Sequence, residues 1–298
     1  MSDAWRALAP AKINLGLFLG STREDGRHEL VTVMQSVSLA DELTLSEAPE
    51  AAGDEVRCPG VEGENLALAA IAAFRAATGW SGPPWRLDID KQVPVAAGMG
   101  GGSGDAAAAL RLCAAASGRG QEALLLELAA GLGADVPAQV RPGRVLARGA
   151  GERLERLPDG EPFGVLVLPS DEGLSTAAVY READRLGLAR PQAELDRLVE
   201  PLRTGLSVAN DLQPAALGLR PELTRTLELA LELGAEHALV SGSGPTVLGL
   251  FPGPGGPAAA SAAARAAAGR GSEGPPARWA EPVGASGSEP RVGTVRHN

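Results

Sequence analysis

A two-domain chain that mixes strands with helices is the architecture the sequence predicts, and three observations carry it. Alternating apolar and polar residues dominate the first fifty positions, Ala/Leu-rich stretches follow, and a Pro-Asp-Gly-Glu-Pro break at 158–162 precedes a second set of patterns. A length of 298 residues suits one large domain or two ordinary ones. The break divides the chain into 1–160 and 161–285, and 286–298 is predicted to be a disordered tail. Gly (39) and Pro (23) stay below the share found in wholly disordered chains, so the chain should fold.

Residues 11–19, AKINLGLFL, alternate with period two and read as a strand. Ile13, Leu15, Leu17 and Leu19 are predicted on one face, and Lys12, Asn14, Gly16 and Phe18 on the other. After the Asp25-Gly26 turn signal, 31–39 and 42–47 read as two further strands. Asn65 is a predicted N-cap for a helix running to about Thr78, which Gly79 stops. Trp85 to Asp90 alternate as a strand that delivers Lys91 and Pro94. A glycine cluster follows, Gly98-Met99-Gly100-Gly101-Gly102-Ser103-Gly104-Asp105, and opens a helix predicted over Ala106 to Ser117. A helix at about 121–132 leads to Gly133-Ala134-Asp135-Val136-Pro137. Beyond the break, 163–168 is an apolar strand, and helices are predicted at about 175–186, 193–203, 209–218 and 221–233. Strands at 237–241 and 246–251 flank Ser241-Gly242-Ser243-Gly244, 257–269 is helical, and Ala277 to Val283 forms a last strand.

The formal net charge of −10 disfavours nucleic acid and anionic membranes as partners, so an anionic ligand must be held by local devices. Two cysteines, no signal-like start and no apolar run of about 18 residues point to a cytoplasmic protein with reduced thiols. Three scattered histidines make a zinc site unexpected, so any metal should be an oxygen-bound ion such as Mg²⁺. Of 27 basic residues only Lys12 and Lys91 are lysine, and asparagine occurs only at 14, 65, 210 and 298. Residues that survive so strong a compositional bias are candidates for chemistry.

Glycines between a strand and a helix let the backbone approach a ligand closely, while the helix aims its free N–H groups and positive end at an anion. Phosphate is the natural occupant. The loop lacks the Gly-Lys-Ser/Thr ending of a P-loop and the i, i+2, i+5 glycines of a dinucleotide fingerprint. A phosphoryl-transfer enzyme built on it needs a cation from elsewhere, and Lys12 and Lys91 are the only lysines. Taken alone, Lys12 also fits a solvated strand lysine, Asp135 an N-cap, and Ser103 either an N-cap or a phosphate or Mg²⁺ contact.

Taken in order, Pro10-Ala11-Lys12-Ile13-Asn14-Leu15, the stretch from Pro94 to Asp105, Gly133-Ala134-Asp135-Val136-Pro137 and Ser241-Gly242-Ser243-Gly244-Pro245 resemble the GHMP small-molecule kinases over roughly residues 8–285. The resemblance implies an α+β fold, with an N-terminal domain like the second domain of ribosomal protein S5 and a ferredoxin-like C-terminal domain. It implies ATP as phosphoryl donor, with Mg²⁺. Asp25-Gly26-Arg27-His28-Glu29-Leu30, with the lysine-bearing strand, points within the family to the 2-hydroxyl of diphosphocytidyl methylerythritol as acceptor, in the non-mevalonate isoprenoid route. Carried over by position, Pro94, Val95, Ala96, Ala97, Gly98, Met99, Gly100, Gly101, Gly102, Ser103 and Gly104 wrap the ATP phosphates, and Lys91 and Asn65 lie near the adenine. Asp135 and Lys12 are catalytic, Asn14 and His28 contact the substrate, and Tyr180 lies against the cytosine. Asn210-Asp211 and the 241–244 turn help line the cleft.

Two positions depart from the family pattern. Arg27 stands where tyrosine is usual, and its guanidinium is expected to stack on the base or pair with a phosphate instead. Gly104 replaces a common serine. The alternatives are a GHMP kinase for another small alcohol and a catalytically silent nucleotide-binding protein on the same fold.

Overall fold

The structure, a computed structural model, describes residues 4–205, 208–269, 275–284 and 291–293. Its frame is a long antiparallel ribbon of β1 (Ala4–Thr22) and β2 (His28–Glu47). The hairpin between them turns at Gly26, whose φ is +78°, and the Asp25 carboxylate accepts from the Arg27 backbone N–H at 3.0 Å. β3 (Glu55–Arg57) lies parallel to β4 (Trp85–Asp90), which pairs with residues 42–47 of β2. Residues 30–35 of β2 pair instead with β5 (Arg144–Gly149), which carries β6 (Arg153–Arg156) on its outer edge. The predicted strands 31–39 and 42–47 are thus one 20-residue strand whose outer edge is shared by two partners.

Helices α1 (Leu66–Thr78), α2 (Gly101–Ser117), α3 (Glu122–Leu132) and α4 (Val136–Val140) cover one face of this sheet. Leu43, Leu45, Leu87 and Ile89 meet Ile71, Phe74, Leu110 and Leu125 in a buried core. Asn65 caps α1 by accepting from Ala67 N at 2.9 Å, and Gly79 ends it in the left-handed conformation, both as predicted. α2 starts five residues earlier than predicted, inside the glycine cluster. Gly104 shows why: a Cβ there would sit 3.2 Å from the Pro10 carbonyl, so the first turn lies flat against β1.

Residues 157–162 lead to the second sheet, β7 (Phe163–Leu168), followed by α5 (Thr176–Leu186), α6 (Gln192–Thr204), β8 (Ala209–Asn210), α7 (Gln213–Leu219) and α8 (Leu223–Glu232). β9 (His237–Val240), β10 (Val247–Pro252), α9 (Gly256–Gly269) and β11 (Arg278–Ala280) complete it. The antiparallel order β11-β7-β10-β9 is the 4-1-3-2 arrangement of a ferredoxin-like domain. Alternate residues divide its two faces: Leu166 and Leu168 pack under the helices, whereas Val165, Val167, Leu248 and Leu250 join Ile13, Leu15 and Val33 in a core shared by both sheets.

Four expectations are corrected here. The period-two reading of 11–19 breaks at a register shift between Asn14 and Gly16. Phe18 therefore joins Ile13 and Leu15, while Leu17 and Leu19 pack with the second-sheet helices. β5 and β6 were not anticipated. The helix expected from 209 begins at Gln213, because 209–210 pair with β1 and the Asp211 N–H donates to Leu17 O. Within the predicted tail, β12 (Arg291–Gly293) pairs with residues 4–6 of β1, whose outer edge otherwise offers unpaired backbone groups; the rest of 286–298 lies outside the described residues. Among the described residues, no helix is long and apolar enough to cross a membrane.

Candidate active site

A cavity of about 810 Å³ opens between the ribbon, the glycine loop and α5. Lys12, Asn14 and Thr32 border it from the ribbon, Gly98, Gly100 and Ser103 from the loop and first turn of α2, and Asp135 from the start of α4. Arg27 and His28 close it on the hairpin side, Tyr180, Arg181 and Asp184 from α5, and Gly242 and Ser243 from the β9–β10 turn.

The loop's shape depends on missing side chains. Gly98 (φ +71°) is so close to the β9–β10 turn that a Cβ would lie 2.3 Å from Ser241 O, and one on Gly100 (φ +67°) would lie 2.9 Å from Lys12 Cγ. Lys12 N donates to Met99 O at 2.9 Å, and Ser241 Oγ donates to Gly98 O at 3.2 Å. The loop is therefore gripped from both sheets, with the N-terminus of the 17-residue α2 directed at the cavity through Ser103.

Lys12 and Asp135, 123 positions apart in the chain, converge here. Lys12 Nζ lies 3.2 Å from Asp135 Oδ2 and donates to Asn14 Oδ1 at 2.8 Å, and Asn14 Nδ2 donates in turn to Thr32 Oγ1 at 2.8 Å. Asp135 occupies the N-cap position of α4, yet its side chain makes no cap bond. Its carboxylate, 38% exposed, is thereby left for the cavity, while the lysine is 9% exposed.

On the hairpin side, His28 is buried, with Nε2 2.7 Å from Asp184 Oδ1, and its ring meets Tyr180 at 5.0 Å between centroids. Burial, with Asp135's charge adding to it, pushes the Tyr180 hydroxyl up to about 12, so it remains a neutral donor. Arg27 is more than half exposed and paired with Asp25 at 3.1 Å.

Other sequence candidates do different work. Lys91, expected near adenine, turns its ammonium to Asp41 (2.5 Å) and Asp105 (2.9 Å) and abuts Gly101. Burial pulls its pKa down, but the two carboxylates outweigh this and raise it. Asp41 also accepts from Gln92 N and Val93 N, and burial pushes the Asp105 carboxyl up to about 7. Asn65 is engaged in its cap. Neither Asn65 nor Lys91 borders the cavity, and the same holds for Pro94, Val95, Ala96 and Ala97. Met99, Gly101, Gly102 and Gly104 also lie back from it: Met99 and Ala97 are buried beneath the loop, and Val95 faces outward. Asn210 and Asp211 brace the cleft instead of lining it: Asn210 Nδ2 donates to Val240 O and Gly242 O, and Asp211 accepts from Leu19 N and Arg190. Sequence reasoning missed Thr32, Asp41, Asp105 and Asp184. Only Asp184 carried a signal, since its i+4 spacing from Tyr180 puts both on one helix face. Among the described residues, no group of three or more His, Cys, Asp or Glu is placed to hold a metal ion.

Residues 65–143 match the GHMP kinases N terminal domain and residues 192–270 the GHMP kinases C terminal domain. The chain belongs to the GHMP kinase family. Among its relatives, a 4-diphosphocytidyl-2-C-methyl-D-erythritol kinase of Streptomyces coelicolor is 46% identical over 80% of this chain and 84% of its own. One of the same name from Anaeromyxobacter dehalogenans is 41% identical over 88% and 85%. A crystal structure of 4-(cytidine 5'-diphospho)-2C-methyl-D-erythritol kinase superposes with a TM-score of 0.75 at 34% identity, covering 94% of this chain and all of that one. A homoserine kinase from Cytophaga hutchinsonii, at 17% identity and TM-score 0.71 over 98% of each chain, shares the fold.

Proposed function

We propose that the chain transfers the γ-phosphoryl group of ATP to the 2-hydroxyl of 4-diphosphocytidyl-2-C-methyl-D-erythritol, a step of the non-mevalonate route to isoprenoids. The observation that carries this reading is the 3.2 Å contact between Lys12 and Asp135 beside the N-terminus of α2. The ATP phosphates lie against Gly98, Gly100 and Ser103, the loop residues that border the cavity, where backbone N–H groups and the helix end meet their charge. Asp135 accepts the hydroxyl proton as the oxygen bonds to phosphorus and the bond to the leaving ADP oxygen breaks, a role worth about 10²–10⁴ in rate. Lys12, steadied by Asn14, orients the hydroxyl and offers positive charge to the transferring group.

At the other end of the cavity Tyr180 gives the cytosine a face to pack on, His28 offers a ring nitrogen, and Arg27 supplies a guanidinium for the base or the diphosphate. Lys91 acts on the nucleotide through the loop it supports, whereas Asn65 is engaged in capping α1. Mg²⁺ fits as a companion of the phosphates, since it needs few protein ligands when phosphate oxygens supply the others, and the Ser103 hydroxyl, which borders the cavity, would be one of them. When bound, it neutralises charge on the β- and γ-phosphates.

An ADP-release assay with the cytidyl alcohol, homoserine and mevalonate in parallel tests the reading. Turnover of the cytidyl alcohol alone is the expected result. Turnover of homoserine or mevalonate without it would replace the acceptor assignment.

A further inference from the structure

The Asp184 carboxylate takes no part in the phosphoryl transfer described above, yet it reaches from α5 across to the hairpin end of β2. His28 Nε2 lies 2.7 Å from Asp184 Oδ1 and 3.3 Å from Thr22 Oγ1, in a ring only 7% exposed. A carboxylate can only accept, so Nε2 is the nitrogen that carries the proton. When the ring is neutral its free lone pair is at Nδ1, which has no bond to any of the described residues and belongs to a ring that borders the cavity. Tyr180 packs against the same ring at 39°, which restricts its plane.

A lone pair held on the wall of the cavity selects its ligand by polarity. It accepts from an N–H group, whereas a carbonyl oxygen in the same place would leave two acceptors facing each other. Cytosine and uracil differ in that respect at C4, one carrying an amino group and the other an oxygen. We propose that Asp184 is a positioning residue that holds His28 in its Nε2–H form, so that Nδ1 accepts from the exocyclic amino group of a cytosine base and discriminates against uracil. The inference rests on the cytidyl substrate proposed above and adds the device that chooses the base. It divides that choice between the two halves of the chain: the contacting ring comes from β2, and the group that sets its proton comes from α5.

The test compares kcat/KM for the cytidyl alcohol and its uridyl counterpart in the wild type, D184A, D184N and D184E. The wild type is expected to favour cytosine by at least about 10²-fold, since a site built around a hydrogen bond rejects analogues that leave its groups unpaired. D184A should lower that ratio at least about tenfold. D184N should lower it further, because the amide can donate to Nε2 and move the ring proton to Nδ1, while D184E, still only an acceptor, should keep most of it. A general loosening of the site would reduce both kcat/KM values together and leave their ratio alone. The inference is overturned by an unchanged ratio in D184A and D184N, or by a wild type that uses both bases equally well. Wild-type enzyme that phosphorylates neither pyrimidine substrate but does use another alcohol overturns the proposed function instead.

Discussion

Two ammonium–carboxylate contacts abut the glycine loop, Lys12 with Asp135 and Lys91 with Asp41 and Asp105, and water reaches them very differently. Asp135 is 38% exposed and faces the cavity, whereas Asp41 is fully buried and Asp105 nearly so. The first pair has an open side from which a substrate hydroxyl can approach. In the second, both carboxylates are closed off by protein, and two backbone N–H groups add to the hold on Asp41. In the proposed reading, like chemistry thus serves catalysis in one place and support of the loop in the other, and burial makes the difference.

The comparison is most directly broken at Asp135. Asp135→Asn is expected to lower kcat by about 10²–10⁴, with ATP affinity nearly unchanged and only a modest loss of thermal stability, since the amide oxygen can still accept from the buried Lys12 ammonium. Steady-state kinetics beside ATP titration measures this, and near wild-type kcat would remove Asp135 from the mechanism. The opposite signature is expected at Lys91→Met. Leaving two buried carboxylates without their cation should cost about 3 kcal/mol of stability by denaturant unfolding, and a variant as stable as wild type would end the supporting role.

A pH series sharpens the buried side. The Asp105 carboxyl is raised from 3.8 to about 7 by burial, so the folded state binds its proton more tightly than the unfolded chain. Its contribution is full below about pH 4 and is lost as pH rises through about 7. Asp105→Asn lacks that titration, so its stability relative to wild type should climb between pH 4 and 8, and parallel melting curves across that range would contradict the assignment. The smallest effect is expected from Gly104→Ser. The added Cβ meets Pro10 O at 3.2 Å, which asks β1 to yield by a few tenths of an ångström. A loss of about 1 kcal/mol in melting experiments is anticipated, with kcat little changed.

Much of this site could be read before the fold was known. The convergence of Lys12 with Asp135 and the place of the 241–244 turn at the cleft were legible through the family's motifs, and the Asn65 and Gly79 caps because cap chemistry is local. Lys91 was assigned to the nucleotide because nothing in the sequence reveals that Asp41, fifty positions earlier, would claim its ammonium. The register shift after Asn14 was equally hidden: a bulge costs no distinctive residue, yet it brings Leu17 round to the cavity and sends Phe18 to the shared core.

The sequence by itself determined which residues could do chemistry. It supplied two lysines among many arginines, a run of glycines that tolerates left-handed backbone, and carboxylates at positions able to start helices. Only the tertiary structure decided that Asp41 and Asp105 would meet Lys91, how much water each cation–carboxylate contact kept, and that Asp184 of α5 would reach His28. Those outcomes depend on contacts between segments distant in the chain. Such contacts form only when burial of the shared apolar core brings the two sheets together, and no local pattern records them.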